Sequence, residues 1–337
     1  SVWYFSIFLP VVEILSATSL GLIVWWGSRE VLQGEVTIGH LIAYILYIHM
    51  LFRPIRELAD KFNTLPMGMV SSERVFRVLD TKDRIEDSGT ITRESIDGDI
   101  EFKNVWFAYK DEEYVLKNVS FSVKRGESLA LVGATGSGKT SIINLLSRFY
   151  EFEKGEILVD GESIRNYRKE FLRKNIAVVL QDVFLFSDTI YRNITLGDDS
   201  ISIETVIQAA KDFGAHDFIS QLPGQYEYNV MERGAMLSVG QRQLISFIRA
   251  YVHNPTVLVL DEATSSIDTE SEDIIQKALV KLMEGRTSII IAHRLATIQK
   301  ANKILVLEKG KILEIGTHQQ LLENEGHYRT LFELQYN

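Results

Sequence analysis

Eight consecutive residues, Gly133-Ala134-Thr135-Gly136-Ser137-Gly138-Lys139-Thr140, have the types and spacing to hold a polyphosphate. They fit G-x-x-x-x-G-K-[ST], the phosphate loop. Gly133, Gly136 and Gly138 let the backbone curl until its N–H groups converge on one anion at the positive end of the following helix. Lys139 has the charge and reach for β- and γ-phosphates, and the Thr140 hydroxyl can ligate Mg²⁺. Ala134, Thr135 and Ser137 complete the cradle between the glycines, and Ser141 carries it into the helix. A Gly-rich turn that binds nothing is the competing reading, and the apolar runs on both sides, Ser128–Val132 and Ile142–Leu146, disfavour it.

A second cluster of candidate chemistry lies downstream. Val257-Leu258-Val259-Leu260 runs straight into Asp261 and Glu262. Taken alone, this is equally a strand that ends in solvated acids. Behind a phosphate loop it places two carboxylates at the carboxyl end of a strand, where ligands bind in open α/β sheets. Asp261 can then hold the Mg²⁺ shell, and Glu262 can orient and polarise an attacking water as general base.

The elements that must position these groups are legible as short aliphatic runs. Ile100–Tyr109 and Val119–Val123 alternate as strands do, and Lys124-Arg125-Gly126-Glu127 turns the chain into the phosphate-loop strand. Ile176–Leu180, Thr256–Leu260 and Thr287–Ala292 are continuous aliphatic stretches between helical patterns, as expected of strands buried on both faces of a parallel sheet. Lys303–Leu307 and Lys311–Ile315 flank Glu308-Lys309-Gly310 and predict a hairpin. The predicted class is therefore an α/β P-loop domain over 99–337.

The preceding residues are of another kind. Ser1–Trp26 is apolar but for Glu13 and a few hydroxyls, long enough to span about 30 Å of hydrocarbon, and Trp25 and Trp26 stand where an interfacial aromatic belt would lie. Val36–Phe52 is a second apolar run near the short limit for a span, and two buried helices of a soluble domain are the alternative. Arg53, Arg56 and Lys61 follow this run, whereas the connector Ser28–Glu35 offers only Arg29 against two glutamates. The positive-inside rule puts the hairpin tip outside and everything after Arg53 in the cytoplasm. Glu13 is expected to line a path or to pair with a neighbour. Residues 54–79 keep apolar positions at helical spacing and extend the second span, with Pro66 kinking or interrupting it. Residues 1–80 thus read as an all-α partial transmembrane domain. Thr81–Gly98, polar and without apolar period, reads as a linker.

Composition sets outer limits. The chain has 337 residues, 46% of them hydrophobic and 24% charged, which allows two or three globular domains. A net charge of −9 argues against a nucleic-acid partner held on a basic face. Cys is absent, which removes disulfides and cysteine metal sites and fits a cytosol-facing protein. The opening Ser-Val-Trp-Tyr-Phe, with no initiator Met and no basic n-region, is expected of a chain that begins within a longer protein rather than of a signal peptide.

Between the two clusters stands Leu237-Ser238-Val239-Gly240-Gln241, followed by a helical run from Arg242 to Tyr251. With the phosphate loop and the Asp261-Glu262 strand, this makes the chain resemble the carboxyl-terminal part of an ABC exporter half-transporter, similar to bacterial lipid and multidrug exporters. The resemblance covers the whole chain, the apolar runs matching the last two transmembrane helices. It implies that Gln181 is the Q-loop residue, near both Mg²⁺ and the lytic water, and that Glu232-Arg233-Gly234 is the exporter motif before the signature. It implies further that Ser265–Asp268 forms the D-loop, with Asp268 at the nucleotide, that His293 is the switch histidine and that Tyr109 stacks on adenine. Ser238, Gly240 and Gln241 would meet the γ-phosphate bound by a second half-transporter, each site being completed in trans by a homodimeric or heterodimeric partner. The usual signature has Gly where Val239 stands.

The implied activity is ATP hydrolysis coupled to export of a lipid, drug or peptide, with ATP and Mg²⁺ as cofactors and a multi-pass location in the inner or plasma membrane. Two other readings fit the sequence less well. A soluble ABC-type ATPase working on DNA or ribosomes has no use for two apolar spans, and a regulatory subunit that never turns ATP over has no use for Glu262 and His293.

Overall fold

The computed structural model describes residues 2–81, 85–261, 269–292, 295–324 and 326–336. It divides into two compact units, 1–84 and 85–337. The first unit is a pair of long helices, α1 (Val2–Gln33) and α2 (Ile38–Asp80). Stretches Pro10–Gln33 and Ile38–Leu58 are long and apolar enough to cross a membrane. Leu15, Trp25, Trp26, Leu46, Tyr47 and Met50 are exposed in this pair. Two helices that are apolar around most of their girth cannot cover each other, whereas a hydrocarbon surround leaves nothing unsatisfied.

Glu13 is paired: Arg56 on α2 approaches it with Nε to Oε1 at 3.1 Å and also reaches the Ser16 hydroxyl. Pro54 and Pro66 both lie inside α2, which continues the second apolar run as expected; of the two outcomes expected at Pro66, a kink or an interruption, the interruption does not occur. A proline deletes one N–H from the ladder, and the turns on either side of it keep the helix assigned through the site.

The second unit contains two sheets. Strands β1 (Ile100–Ala108), β2 (Tyr114–Val123), β4 (Lys154–Val159) and β5 (Glu162–Ser163) form an antiparallel sheet in the order β2-β1-β4-β5. Strands β3 (Ser128–Val132), β6 (Ile176–Val179), β7 (Val257–Asp261), β8 (Thr287–Ile291), β9 (Lys303–Glu308) and β10 (Lys311–Gly316) form the other, in the order β10-β9-β3-β8-β7-β6. It is parallel from β9 to β6, and β10 closes its edge as the antiparallel arm of the expected hairpin.

The helices of this unit are α3 (Lys139–Leu146), α4 (Lys169–Asn175), α5 (Ile190–Thr195), α6 (Ile203–Asp212), α7 (His216–Ser220), α8 (Val239–Val252), α9 (Thr269–Met283), α10 (Leu295–Lys300), α11 (His318–Glu323) and α12 (His327–Tyr336). Continuous aliphatic strands make sense because both faces of the six-stranded sheet are covered. Ala130, Leu258, Leu260, Ile290, Ile304 and Val306 join one core with Val206, Ile245 and Ile248 from the helices. Their neighbours Leu129, Leu131, Val257, Val259, Ile289 and Leu305 point the other way, onto Phe102, Phe107 and Phe121 of the antiparallel sheet and Ile142 of α3.

From Ile85 onward the chain is laid along this second unit. The N–H groups of Thr90 and Ile91 donate to Asn166 O, Arg168 N–H donates to Ile91 O, and Asp160 accepts from the N–H groups of Asp97, Gly98 and Asp99. Arg148, just past α3 and 2% exposed, donates to Ile164 O, Tyr167 O and Glu86 O as well as to Glu151.

Candidate active site

The phosphate loop lies between β3 and α3, and the packing around it explains two of its glycines. A Cβ on Gly133 would lie 2.2 Å from Leu307 O. Gly138 caps α3 with φ +108, and a Cβ there would meet Leu116 Cδ2 at 2.7 Å. At Gly133 the clash is with strand backbone, which no rotamer change relieves; at Gly138 the Leu116 side chain would have to turn aside, and the left-handed φ itself disfavours any other residue. Ala134, Thr135 and Gly136 are exposed at the rim, while Ser137, Lys139 and Ser141 are buried. Thr140 is exposed on the first turn of α3.

Lys139 is folded onto its own loop. Its Nζ donates to Gly133 O at 2.7 Å and Ala134 O at 3.0 Å, with Ser137 Oγ at 3.5 Å. Burial holds its pKa below the usual lysine value, and the Asp261 carboxylate opposes that shift by favouring the charged form. Phosphate oxygens are stronger acceptors for this ammonium than the loop carbonyls, so the same side chain is available to an entering anion.

Sheet register gathers the other groups. Ile291 pairs with Leu131 on one side and with Asp261 on the other, so β3, β8 and β7 place these three residues in one row at the carboxyl edge. Val179 pairs with Leu260, which sets Gln181, two residues past it and exposed, at the same edge. The phosphate loop, Gln181 and Asp261 therefore leave one end of one sheet. Glu262, Asp268 and His293 lie outside the described residues; by chain position Glu262 follows Asp261, and His293 follows the row residue Ile291 by two.

Tyr109 stands past the end of β1 and is 45% exposed. Its ring meets Phe107 and Tyr150 edge-on at centroid separations of 4.7 and 4.9 Å. Its hydroxyl is within 3.1 Å of Ser141 Oγ and accepts from Asn144 Nδ2 at 3.1 Å, which ties the aromatic to the phosphate-loop helix. Asn144 and Tyr150 were not anticipated from sequence. Asn144 follows Ser141 by three positions, one helical turn, a spacing that could have revealed it.

Ser238 begins α8 as its N-cap. Its hydroxyl accepts from Gln241 N–H at 3.2 Å while Gln241 Oε1 accepts from Ser238 N–H at 3.0 Å, a capping box. Gly240 is buried in the first turn. Val239 opens the helix with its side chain 44% exposed, and its φ is not positive, so this backbone does not require the usual glycine. Among the described residues, no hydrogen bond or ion pair links 238–241 to 133–141. Ser238→Ala is expected to lower the stability of the domain by about 1 kcal/mol through the lost cap. Thermal unfolding measures this, and an unshifted melting temperature would show that the cap contributes nothing.

The strand, cradle and helix, with a carboxylate strand two places away in a parallel sheet, define a P-loop nucleotide-binding domain. Residues 116–265 match the ABC transporter family model, which places this stretch of the chain in that family. It is 47% identical over 302 residues to a probable multidrug resistance ABC transporter ATP-binding/permease protein of Bacillus subtilis (strain 168), an alignment covering 90% of this chain and 45% of that protein. It is 40% identical over 328 residues to an ATP-dependent lipid A-core flippase of Syntrophus aciditrophicus (strain SB), covering 97% of this chain and 54% of the flippase. A solved structure described as a bacterial Atm1-family ABC exporter with ATP bound superposes with a TM-score of 0.72 at 36% identity, over 98% of this chain and 57% of that one. The chain thus spans about half the length of the curated relatives it matches.

Proposed function

We propose that this chain is the ATP-binding and ATP-hydrolysing part of one half of a dimeric exporter that moves a lipid, drug or peptide across a membrane. The observation that carries the reading is the row Leu131–Ile291–Asp261, which brings a glycine cradle and a carboxylate to one sheet edge. The two apolar helices ahead of the domain support the membrane assignment. The relatives' names, multidrug resistance transporter and lipid A-core flippase, support export.

In this reading the amides of 136–139 bind the β- and γ-phosphates, Lys139 exchanges its loop carbonyls for phosphate oxygens, and Tyr109 offers its ring to adenine. Thr140, Asp261 and Gln181 would hold Mg²⁺: a hydroxyl, a carboxylate and an amide carbonyl are all hard oxygen donors, the set this ion prefers. When bound, the ion neutralises charge on the bridging and terminal oxygens. Glu262 takes a proton from water as the water oxygen bonds to the γ-phosphorus and the bond to the β-γ bridging oxygen breaks, leaving ADP and phosphate. His293 keeps the water and Glu262 in line. Ser238, Gly240 and Gln241 serve the nucleotide of the partner half, and Asp268 would join them in binding nucleotide. Closure of two such domains on ATP, and release after hydrolysis, biases the attached helices between inward and outward access.

The test is hydrolysis by the whole protein in lipid. Turnover is expected to require Mg²⁺ and a dimer. Glu262→Gln is expected to reduce turnover at least about tenfold while ATP stays bound in a stable dimer. A full-rate Glu262→Gln enzyme, or a strictly monomeric protein at full activity, would overturn the assignment.

A further inference from the structure

We propose that Gly310, in the turn between β9 and β10, is a positioning residue for the phosphate cradle: it aims a cradle amide and fixes strand β2 against the loop, using backbone atoms alone. The inference rests on the nucleotide reading of the site above.

Gly310 N–H donates to Ser137 O at 3.0 Å, and Gly310 O accepts from Lys117 N–H at 2.8 Å. One residue therefore joins three segments remote in sequence: the phosphate loop, strand β2 and the β9–β10 turn. The Ser137 carbonyl belongs to the same planar trans peptide as the Gly138 N–H, and in such a unit the two point in opposite directions. Holding the carbonyl outward on Gly310 directs the Gly138 amide inward, toward the anion the cradle is built for. The same hairpin also backs the start of the loop, since Leu307 O occupies the place where a Gly133 Cβ would stand, 2.2 Å away. The cradle is thus supported at both ends by β9 and its turn.

Only glycine fits the joint. Gly310 has φ +81, and a Cβ would lie 2.0 Å from Val115 O and 2.8 Å from Val115 C. That contact is with backbone, so it cannot be relieved by a rotamer; β2 or the turn must move by about an ångström or more. Moving the turn releases the Ser137 carbonyl. Moving β2 disturbs Leu116, which packs against the position of a Gly138 Cβ at 2.7 Å, and carries the hairpin that begins beside Tyr109.

Gly310→Ala should therefore weaken ATP binding without acting on any atom that touches ATP. The control is Gly161→Ala: Gly161 has φ +76 but open space around its Cβ position, so it reports the cost of a left-handed alanine alone. ATP affinity is measured by equilibrium binding on the whole protein in lipid, well below the melting temperature. Gly310→Ala is expected to raise Kd about tenfold or more and Gly161→Ala less than about twofold. A role in stability alone would lower the melting temperature of Gly310→Ala and leave Kd unchanged, and that result overturns the proposal.

A second measurement uses the unaltered protein and so does not depend on the variant folding. By reciprocity, if the joint holds the cradle for nucleotide, nucleotide holds the joint, so hydrogen exchange at the Gly310 amide should slow when ATP saturates the site. Unchanged exchange overturns the proposal as well. Absence of ATP binding by the unaltered protein would instead reject the nucleotide reading itself, which separates the two failures.

Discussion

Lys139→Ala is expected to lower kcat/KM for the proposed ATP hydrolysis about 100-fold or more, with nucleotide affinity falling alongside it. The argument starts from the side chain's present partners. Its ammonium is buried and satisfied by Gly133 O, Ala134 O and Ser137 Oγ, none of which carries a full charge. Burial alone lowers its pKa, and Asp261 works in the other direction. A triphosphate brings negative charge to the same pocket, so the ammonium gains charge-assisted bonds there and still more as charge shifts during transfer. Alanine removes this and leaves the loop carbonyls without their donor, which loosens the cradle as well. Radiometric phosphate release and equilibrium ATP binding measure the two effects. Retention of both at the unaltered level would end the phosphate-loop assignment, because no other lysine lies in the cradle.

Arg148→Met lowers the stability of the second unit by about 3 kcal/mol, the cost of stripping donors from buried acceptors and of leaving an acidic partner less compensated. The methionine keeps an apolar stem of similar reach, so packing changes little. What disappears is a guanidinium that donates to Ile164 O, Tyr167 O and Glu86 O from a position with almost no exposure. Glu151 is not stranded, because Arg165 Nε also donates to it at 2.8 Å, and this keeps the expected loss from being larger. For a unit of this size the shift in melting temperature is about 6–12 °C. Thermal unfolding of the whole protein measures it, and a change under about 2 °C would mean that water replaces the guanidinium at those carbonyls. Because Glu86 belongs to the segment that follows the second apolar helix, proteolysis near 85–99 should also become faster in the variant.

Much of the architecture was legible beforehand for identifiable reasons. Strands β3, β7, β8 and β9 stand out because each has three or four successive aliphatic residues buried on both faces, a pattern a helix of ordinary polarity does not produce. The β9–β10 hairpin was visible because Lys309-Gly310 interrupts two aliphatic runs at hairpin spacing. Other elements were missed. Strand β4 begins Lys154-Gly155-Glu156, and its polar opening conceals three buried residues, Ile157, Leu158 and Val159. Residues 85–98 read as linker because they are polar, yet their backbone is bonded to 160 and 166–168 by groups whose side chains carry no apolar signal. The unbroken course of α2 through Pro66 depends on neighbouring turns, which local propensity does not weigh.

What the amino-acid order determines without help is local: a glycine cradle between an aliphatic strand and a helix, a serine with a glutamine three residues on that caps α8, and two apolar stretches long enough for a bilayer. These follow from dihedral freedom, hydrogen-bond reach along a few residues and apolar periodicity. Only the folded chain decides that Ile291 lies between Leu131 and Asp261, that Tyr109 is tied to Ser141 and Asn144, and that a turn more than 170 residues beyond Ser137 supplies the N–H that holds its carbonyl. Such neighbours are chosen by burial of the whole sheet and by which backbone atoms it leaves unpaired, quantities that exist only after distant segments have come together.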